Sequence, residues 1–252
     1  MKDNLILTLS MGQNRNYIDL TKPLMERYSV KTNSDLVIIE NDNDILKQLT
    51  IRCYNVGRAN NQAYVLKVRL IHYYLGFYKN ILWLDDTCII KPDTCNLFDL
   101  IEDKYILAYN EGLVNDFNSW KYDSKFIQNT MNYKINTKLY INSGVVLYNQ
   151  GIRKYLNDDI IDKCSGLFQS EYPHQAYLNY IIQFYNLPVG FLNEIYNKLM
   201  IQCDYNDGRS KKPEDINANM ILESQDKIYH ITGFYINRYE MIQCLCNIIE
   251  KS

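Results

Sequence analysis

The chain has 252 residues, 47% hydrophobic and 22% charged, which is ordinary globular composition and length enough for a real core. Its 27 basic and 29 acidic residues leave a formal net charge of −2, which excludes the basic excess of a nucleic-acid-binding surface. No apolar run approaches the roughly eighteen residues a membrane-spanning helix needs, and the stretch within Met1–Ser10 is too short for a signal peptide.

In chain order, Asn4–Ser10 reads as a first buried strand, and a helix follows over Leu20–Lys31 with Pro23 near its start, where a missing N–H does no harm. Asp35–Glu40 (Asp-Leu-Val-Ile-Ile-Glu) is a second strand. Asn61–Phe77 carries Leu66, Leu70, Tyr73 and Phe77 at helical spacing. Ile81–Asp85, Cys88–Ile90, Ile106–Tyr109 and Tyr140–Tyr148 read as strands; Gly151–Phe168, His174–Tyr185 and Tyr239–Lys251 read as helices. Strands alternating with helices predict an α/β chain, one domain over 1–252, with a mainly parallel central sheet flanked by helices. Asp204–Asn219 is polar, contains Gly208 and Pro213, and reads as a loop. The seven cysteines are scattered and none forms a Cys-x-x-Cys pair, so reduced thiols and a cytoplasmic location are expected.

The run Ile81-Leu-Trp-Leu-Asp-Asp-Thr87 ends abruptly in two acids. Carboxylates cannot follow an apolar strand into the core unpaired. Asp85 and Asp86 therefore belong at the strand's C-terminal tip, where open α/β sheets bind ligands. They bring the hard oxygen donors that Mg²⁺ or Mn²⁺ prefers. The bland alternative is a strand followed by a polar turn. His230 is either a further ligand, since imidazole suits Mn²⁺, or a packed histidine at a strand end. Gly144 interrupts an apolar strand, which implies either a ligand's ring approaching the backbone beside Asn142 and Ser143 or a bulge. Gln175 and Asn179 share one helix face and either bind a ligand's hydroxyls or serve as caps. Lys67 and Arg69, two apart, point to different helix faces.

Four segments together resemble the nucleotide-sugar glycosyltransferases of the GT-A fold, the glycogenin-like family 8 enzymes above all. They are Ile81–Thr87 with the following Asn96-Leu97-Phe98, Tyr140-Ile-Asn-Ser-Gly-Val-Val-Leu-Tyr-Asn149, Pro173-His-Gln-Ala-Tyr-Leu-Asn179 and Tyr229-His-Ile-Thr-Gly233. The resemblance implies a single GT-A domain that transfers a sugar from a nucleotide donor, a UDP-sugar by expectation, to a glycan or protein hydroxyl with retention. It implies Mn²⁺ or Mg²⁺ held by Asp85, Asp86 or Thr87, and His230. It gives Asn142 and Gln175 to the reacting sugar. Tyr17, Ser10, Arg69, Ser143, Gly144, Gly233 and Arg238 fall to donor binding, with Tyr17 stacking on the base and Lys67 in reserve for Arg69. The chain departs from the pattern at Thr87, where the family has the second motif acid, and at His174, where it has an acid before the helix glutamine. Two other readings use the same residues: a nucleotidyltransferase or phosphatase with Mg²⁺ on the two acids, and a nucleotide-sugar-binding protein that has lost catalysis.

Overall fold

The structure is a computed structural model that describes residues 2–11, 16–40, 44–45, 49, 62–113, 119–201, 213, 216–232 and 238–251. Its elements run β1 (Asn4–Leu9), α1 (Tyr17–Lys31), β2 (Asp35–Ile39), α2 (Gln62–Tyr74), β3 (Asn80–Leu84), β4 (Cys88–Ile90), β5 (Ile106–Asn110), α3 (Ser119–Met131), β6 (Ile141–Asn149), α4 (Asp158–Lys163), α5 (Pro173–Phe184), β7 (Val189–Leu192), β8 (Lys198–Ile201), α6 (Ala218–Glu223), β9 (Ile228–Thr232) and α7 (Arg238–Glu250).

The main sheet has the order β2-β1-β3-β6-β5-β7. The β1–β2, β1–β3 and β5–β7 pairs are parallel, while β6 runs against both β3 and β5. Five strands thus share one direction and β6 alone is reversed, so the expected mainly parallel sheet is present. The apolar runs are buried on both faces because alternate residues enter different cores. Leu5, Leu7, Ile81, Trp83 and Val146 pack on one side with residues of α2 and α5. Ile6, Leu82, Leu84, Val145 and Leu147 pack on the other with Ile18, Met25 and Tyr28 of α1. A smaller sheet, β4-β9-β8, pairs Cys88 with His230 and is covered by α7 through Met241, Ile242 and Leu245.

Several boundaries differ from the sequence expectation. Helix α1 begins at Tyr17, so Pro23 lies inside it rather than in its first turn; the side chain is exposed and the ring faces solvent. The predicted helix Gly151–Phe168 is three short pieces: a 3₁₀ turn over Gln150–Tyr155, then α4, then a 3₁₀ turn over Ser165–Gln169. The Asn157 side chain starts a new helix there by accepting from the Ile160 N–H. Helix α3 and the short strands β7 and β8 were not expected. Most of the polar segment 204–219 and the first residue of the predicted helix Asn61–Phe77 lie outside the described residues; the last two residues of that segment open α6.

Candidate active site

Reversal of β6 sets the geometry. Because it enters the sheet backwards, its first residues lie beside the last residues of β3, and the Asp85 N–H donates to the Gly144 carbonyl at 2.9 Å. Asn142, Ser143 and Gly144 are thereby carried to the tip where the acids emerge.

The two acids turn opposite ways. Asp85 Oδ1 accepts from Lys67 Nζ at 2.9 Å and from the Trp83 indole at 2.8 Å. Lys67 also donates to the Ser143 carbonyl at 2.7 Å and lies 4.5 Å over the Trp83 ring. The other Asp85 oxygen stands 3.5 Å from His230 Nε2. Burial opposes ionisation of Asp85, but the Lys67 ammonium outweighs it and holds the carboxyl well below the usual carboxylate range. Burial pushes the Lys67 ammonium down, and Asp85 offsets part of that. We take the pair as ionised, since the Asp85 side chain keeps 35% exposure to solvent. Asp86 points toward β1 and α1: its carboxylate accepts from Ser10 Oγ at 3.0 Å, and its carbonyl accepts from Thr21 Oγ1 at 3.0 Å. Thr87 is buried, and its carbonyl accepts from the Ile231 N–H.

His230 comes from β9, and the Cε1 side of its ring packs against Gly144. A Cβ at position 144 would sit 1.8 Å from His230 Cε1. The group whose approach requires glycine in this strand is therefore the imidazole, and not the ligand ring expected from the sequence. His230 Nδ1 is 3.1 Å from Asn197 Oδ1, and Asn197 Nδ2 donates to Asn142 Oδ1 at 3.0 Å.

Behind Asn142 and Gln175 lies a carboxylate that sequence reasoning missed. Glu111 is 2% exposed, and its Oε2 accepts from Asn142 Nδ2 at 2.9 Å and from Gln175 Nε2 at 3.1 Å. Ser119, at the start of α3, donates to its other oxygen. Burial pushes the Glu111 carboxyl up, and the two amide hydrogen bonds offset part of that. One turn on from Ser119, Asp123 accepts from the Tyr140 hydroxyl. Burial, with the neighbouring Glu111 charge adding to it against the Tyr140 bond, raises its carboxyl to about 7. The signal for Glu111 was available: β5 is an apolar run ending in Asn110-Glu111, the same pattern that singles out Asp85. His174, at the start of α5, is 2% exposed; burial and then Lys67 push its imidazole well below the usual value, so it is neutral.

The structure thus brings Lys67, Asp85, Asn142, Ser143, Gly144, Gln175 and His230 together, with Ser10, Asp86 and Thr87 adjoining. Arg69 is elsewhere, its Nε donating to Asp158 of α4 at 2.9 Å. Two residues along a helix turn a side chain by about 200°, which is why Lys67 enters the site and Arg69 leaves it. Tyr17 opens α1, and the Arg238 guanidinium lies 5.8 Å over its ring. Gly233 lies outside the described residues. Among the described residues, no group of three or more His, Cys, Asp or Glu side chains is placed to hold a metal ion. Asp85 and His230 nevertheless form an oxygen–nitrogen donor pair suited to Mn²⁺.

No protein-family model matches the sequence, and no curated protein matches it. Solved structures do. The galactosyltransferase LgtC, in complex with donor and acceptor sugar analogs, superposes with a TM-score of 0.59 at 13% identity, over 98% of this chain and 95% of that one. An LgtC active-site mutant with glutamine changed to glutamate gives 0.57 at 13%, over 95% and 94%. A glycosyltransferase involved in glycosylation of the major capsid of PBCV-1 gives 0.55 at 14%, over 99% of both chains. Mouse xyloside xylosyltransferase 1 gives 0.51 at 13%, over 91% and 98%. At these identities the likeness is one of fold: the chain has the GT-A fold of these glycosyltransferases.

Proposed function

We propose that the chain is a metal-dependent glycosyltransferase that moves a sugar from a nucleotide donor, a UDP-sugar in this reading, to a hydroxyl of a glycan or protein acceptor, with retention. The observation that carries the reading is the Asp85 carboxylate at the tip of β3, facing the His230 imidazole across 3.5 Å. Asp85 and His230 would hold Mn²⁺ or Mg²⁺, with Asp86 and Thr87 beside them. Held there, a divalent cation would supply neutralisation of the negative charge that builds on a diphosphate leaving group.

The chain's own residues do the rest. Lys67 fixes Asp85 and adds positive charge at the carboxylate. Tyr17 offers a ring face for the base, and Arg238, over that ring, is the candidate for the diphosphate in place of Arg69. Ser10, Ser143 and Gly144 line the same sheet end. Gln175 and Asn142, side by side on Glu111, are assigned to the sugar.

A thermal-shift titration with nucleoside diphosphates and nucleotide sugars, with and without Mn²⁺, tests the reading, because a ligand of the native state raises stability by mass action. We expect a Mn²⁺-dependent shift with a UDP-sugar, lost in Asp85→Asn, and slow release of the nucleoside diphosphate without acceptor. Binding without any release would make this a nucleotide-sugar-binding protein. Release of phosphate with no sugar transferred would point to a phosphatase.

A further inference from the structure

Five polar groups in the site are joined in one line, and the direction of every hydrogen bond in it can be worked out. A backbone N–H can only donate. The Gly144 N–H lies 2.9 Å from Asn142 Oδ1, and the Ser143 N–H lies 3.1 Å from Gln175 Oε1. Two successive amides of β6 therefore dictate which end of each side-chain amide faces the strand. The NH₂ ends of both must face away, and both converge on Glu111 Oε2. With its oxygen turned toward Gly144, Asn142 can only accept from Asn197, so Asn197 presents NH₂ to it at 3.0 Å. That leaves the Asn197 carbonyl facing His230 Nδ1 at 3.1 Å, and Nδ1 must carry the hydrogen. A neutral imidazole has only one N–H, so in that form His230 Nε2 carries a lone pair 3.5 Å from Asp85 Oδ2.

We propose that Glu111, Asn142 and Asn197 form a positioning relay that fixes the tautomer of His230, so that a nitrogen lone pair and a carboxylate oxygen face each other as a preformed two-donor cation site. The inference builds on the cation reading above. Two acceptors facing each other repel unless a cation lies between them, and a ligating histidine is commonly oriented in this way by a hydrogen bond to its far nitrogen. Glu111 touches neither the cation nor the sugar in this scheme. It acts through two amides, and all three relay residues are buried, Asn197 at 1% exposure.

The test reads the tautomer directly. Nitrogen-15 NMR of the metal-free protein at mildly alkaline pH distinguishes a protonated ring nitrogen from a bare one, and the chain has only three histidines to assign. The parent should show His230 with hydrogen on Nδ1. Asn197→Leu removes the acceptor facing Nδ1 and should move the hydrogen to Nε2, toward Asp85. It should also weaken binding of Mn²⁺ alone, followed by its paramagnetic resonance signal, by about tenfold or more. Glu111→Leu strips both NH₂ groups of their acceptor and should show a mixture of tautomers with weaker Mn²⁺ binding. Glu111→Gln keeps an oxygen for both amides while the Ser119 hydroxyl turns to accept, and should restore the parent behaviour. Hydrogen on Nε2 in the parent overturns the proposal, and that measurement needs no variant to fold. So does an unchanged tautomer in Asn197→Leu, or equal behaviour of Glu111→Leu and Glu111→Gln. The expected tautomer without any Mn²⁺ binding would uphold the relay and overturn the cation reading instead.

Discussion

At the scale of single residues, the site stores its energy in groups that cannot be removed singly. Lys67 is 7% exposed and its nearest counter-charge is Asp85. Removing one member of such a pair leaves the other without compensation, so Lys67→Met should cost about 2–3 kcal/mol in urea unfolding, toward the low end for buried pairs because Asp85 reaches solvent. Gly144 gives a sharper test. Gly144→Ala pushes a methyl into the His230 ring and should cost about 1–3 kcal/mol, as overpacking does. The double change Gly144→Ala with His230→Ala should recover most of that loss; additive losses would mean the ring is not what excludes a side chain here. Asp123 sets a pH dependence. Its carboxyl is at about 7 in the folded chain against 3.8 ordinarily, so the native state holds more protons than the unfolded state between those values. Stability should therefore fall as pH rises from about 4 to about 7, by at most roughly 4 kcal/mol. Glu111, also pushed up by burial, acts in the same direction. Asp85 acts oppositely, its contribution being lost only as pH falls below the usual carboxylate range. Asp123→Asn should flatten the decline, as measured by urea unfolding at about pH 5 and about pH 8.

Elements were legible where hydrophobic pattern and burial agree. Strands β1, β3 and β6 are apolar runs buried on both faces, and helix α2 repeats its apolar residues at helical spacing. Helix α3 was invisible because the residues it buries are Ser119, Asp123 and Ile127. The spacing is helical, but two of the three are polar, since they face Glu111 and Tyr140 rather than an oily core. The four-residue strand β7 was missed at the sheet's edge, where Phe191 is 45% exposed. The Gly151–Phe168 segment carried enough apolar residues to pass for one helix, and what divides it is local: Asn149 and Asn157 accept from the N–H groups of Gly151 and Ile160 and start separate turns. Asn157→Ala should therefore cost about 1 kcal/mol in thermal or urea unfolding, against nothing measurable if that segment were continuous. The position of the acid pair at the tip of β3 was readable from the apolar run that ends there, whereas His230 was linked to it only through the resemblance, because its strand pairs with β4 and β8 and not with β3. The choice of Lys67 over Arg69 was not readable, because both sit at plausible distances from Asp85 in sequence and only the helix's rotation about its axis separates them.

At the scale of the molecule, the two sheets meet at the site, and the smaller one carries a fastening of its own away from it. Lys91, just past β4, sends its ammonium to the carbonyls of Ile221, Leu222 and Ser224 at 3.0–3.2 Å, closing the C-terminal end of α6. Lys91→Met should loosen α6, seen as faster hydrogen exchange over Ala218–Glu223 with little change in the main sheet. The architecture also bears on the order of assembly. Lys67, Asp85 and Gly144 belong to the first 150 residues and pair within the main sheet, whereas His230 arrives on β9, a strand whose partners are β4 and β8. A chain leaving the ribosome N-terminus first can close the lysine–aspartate pair early, yet it has no imidazole beside that pair until β9 has emerged. A chain truncated before β9 would keep the lysine–aspartate pair yet lack the imidazole, and on the cation reading proposed above it should fail to take up the ion.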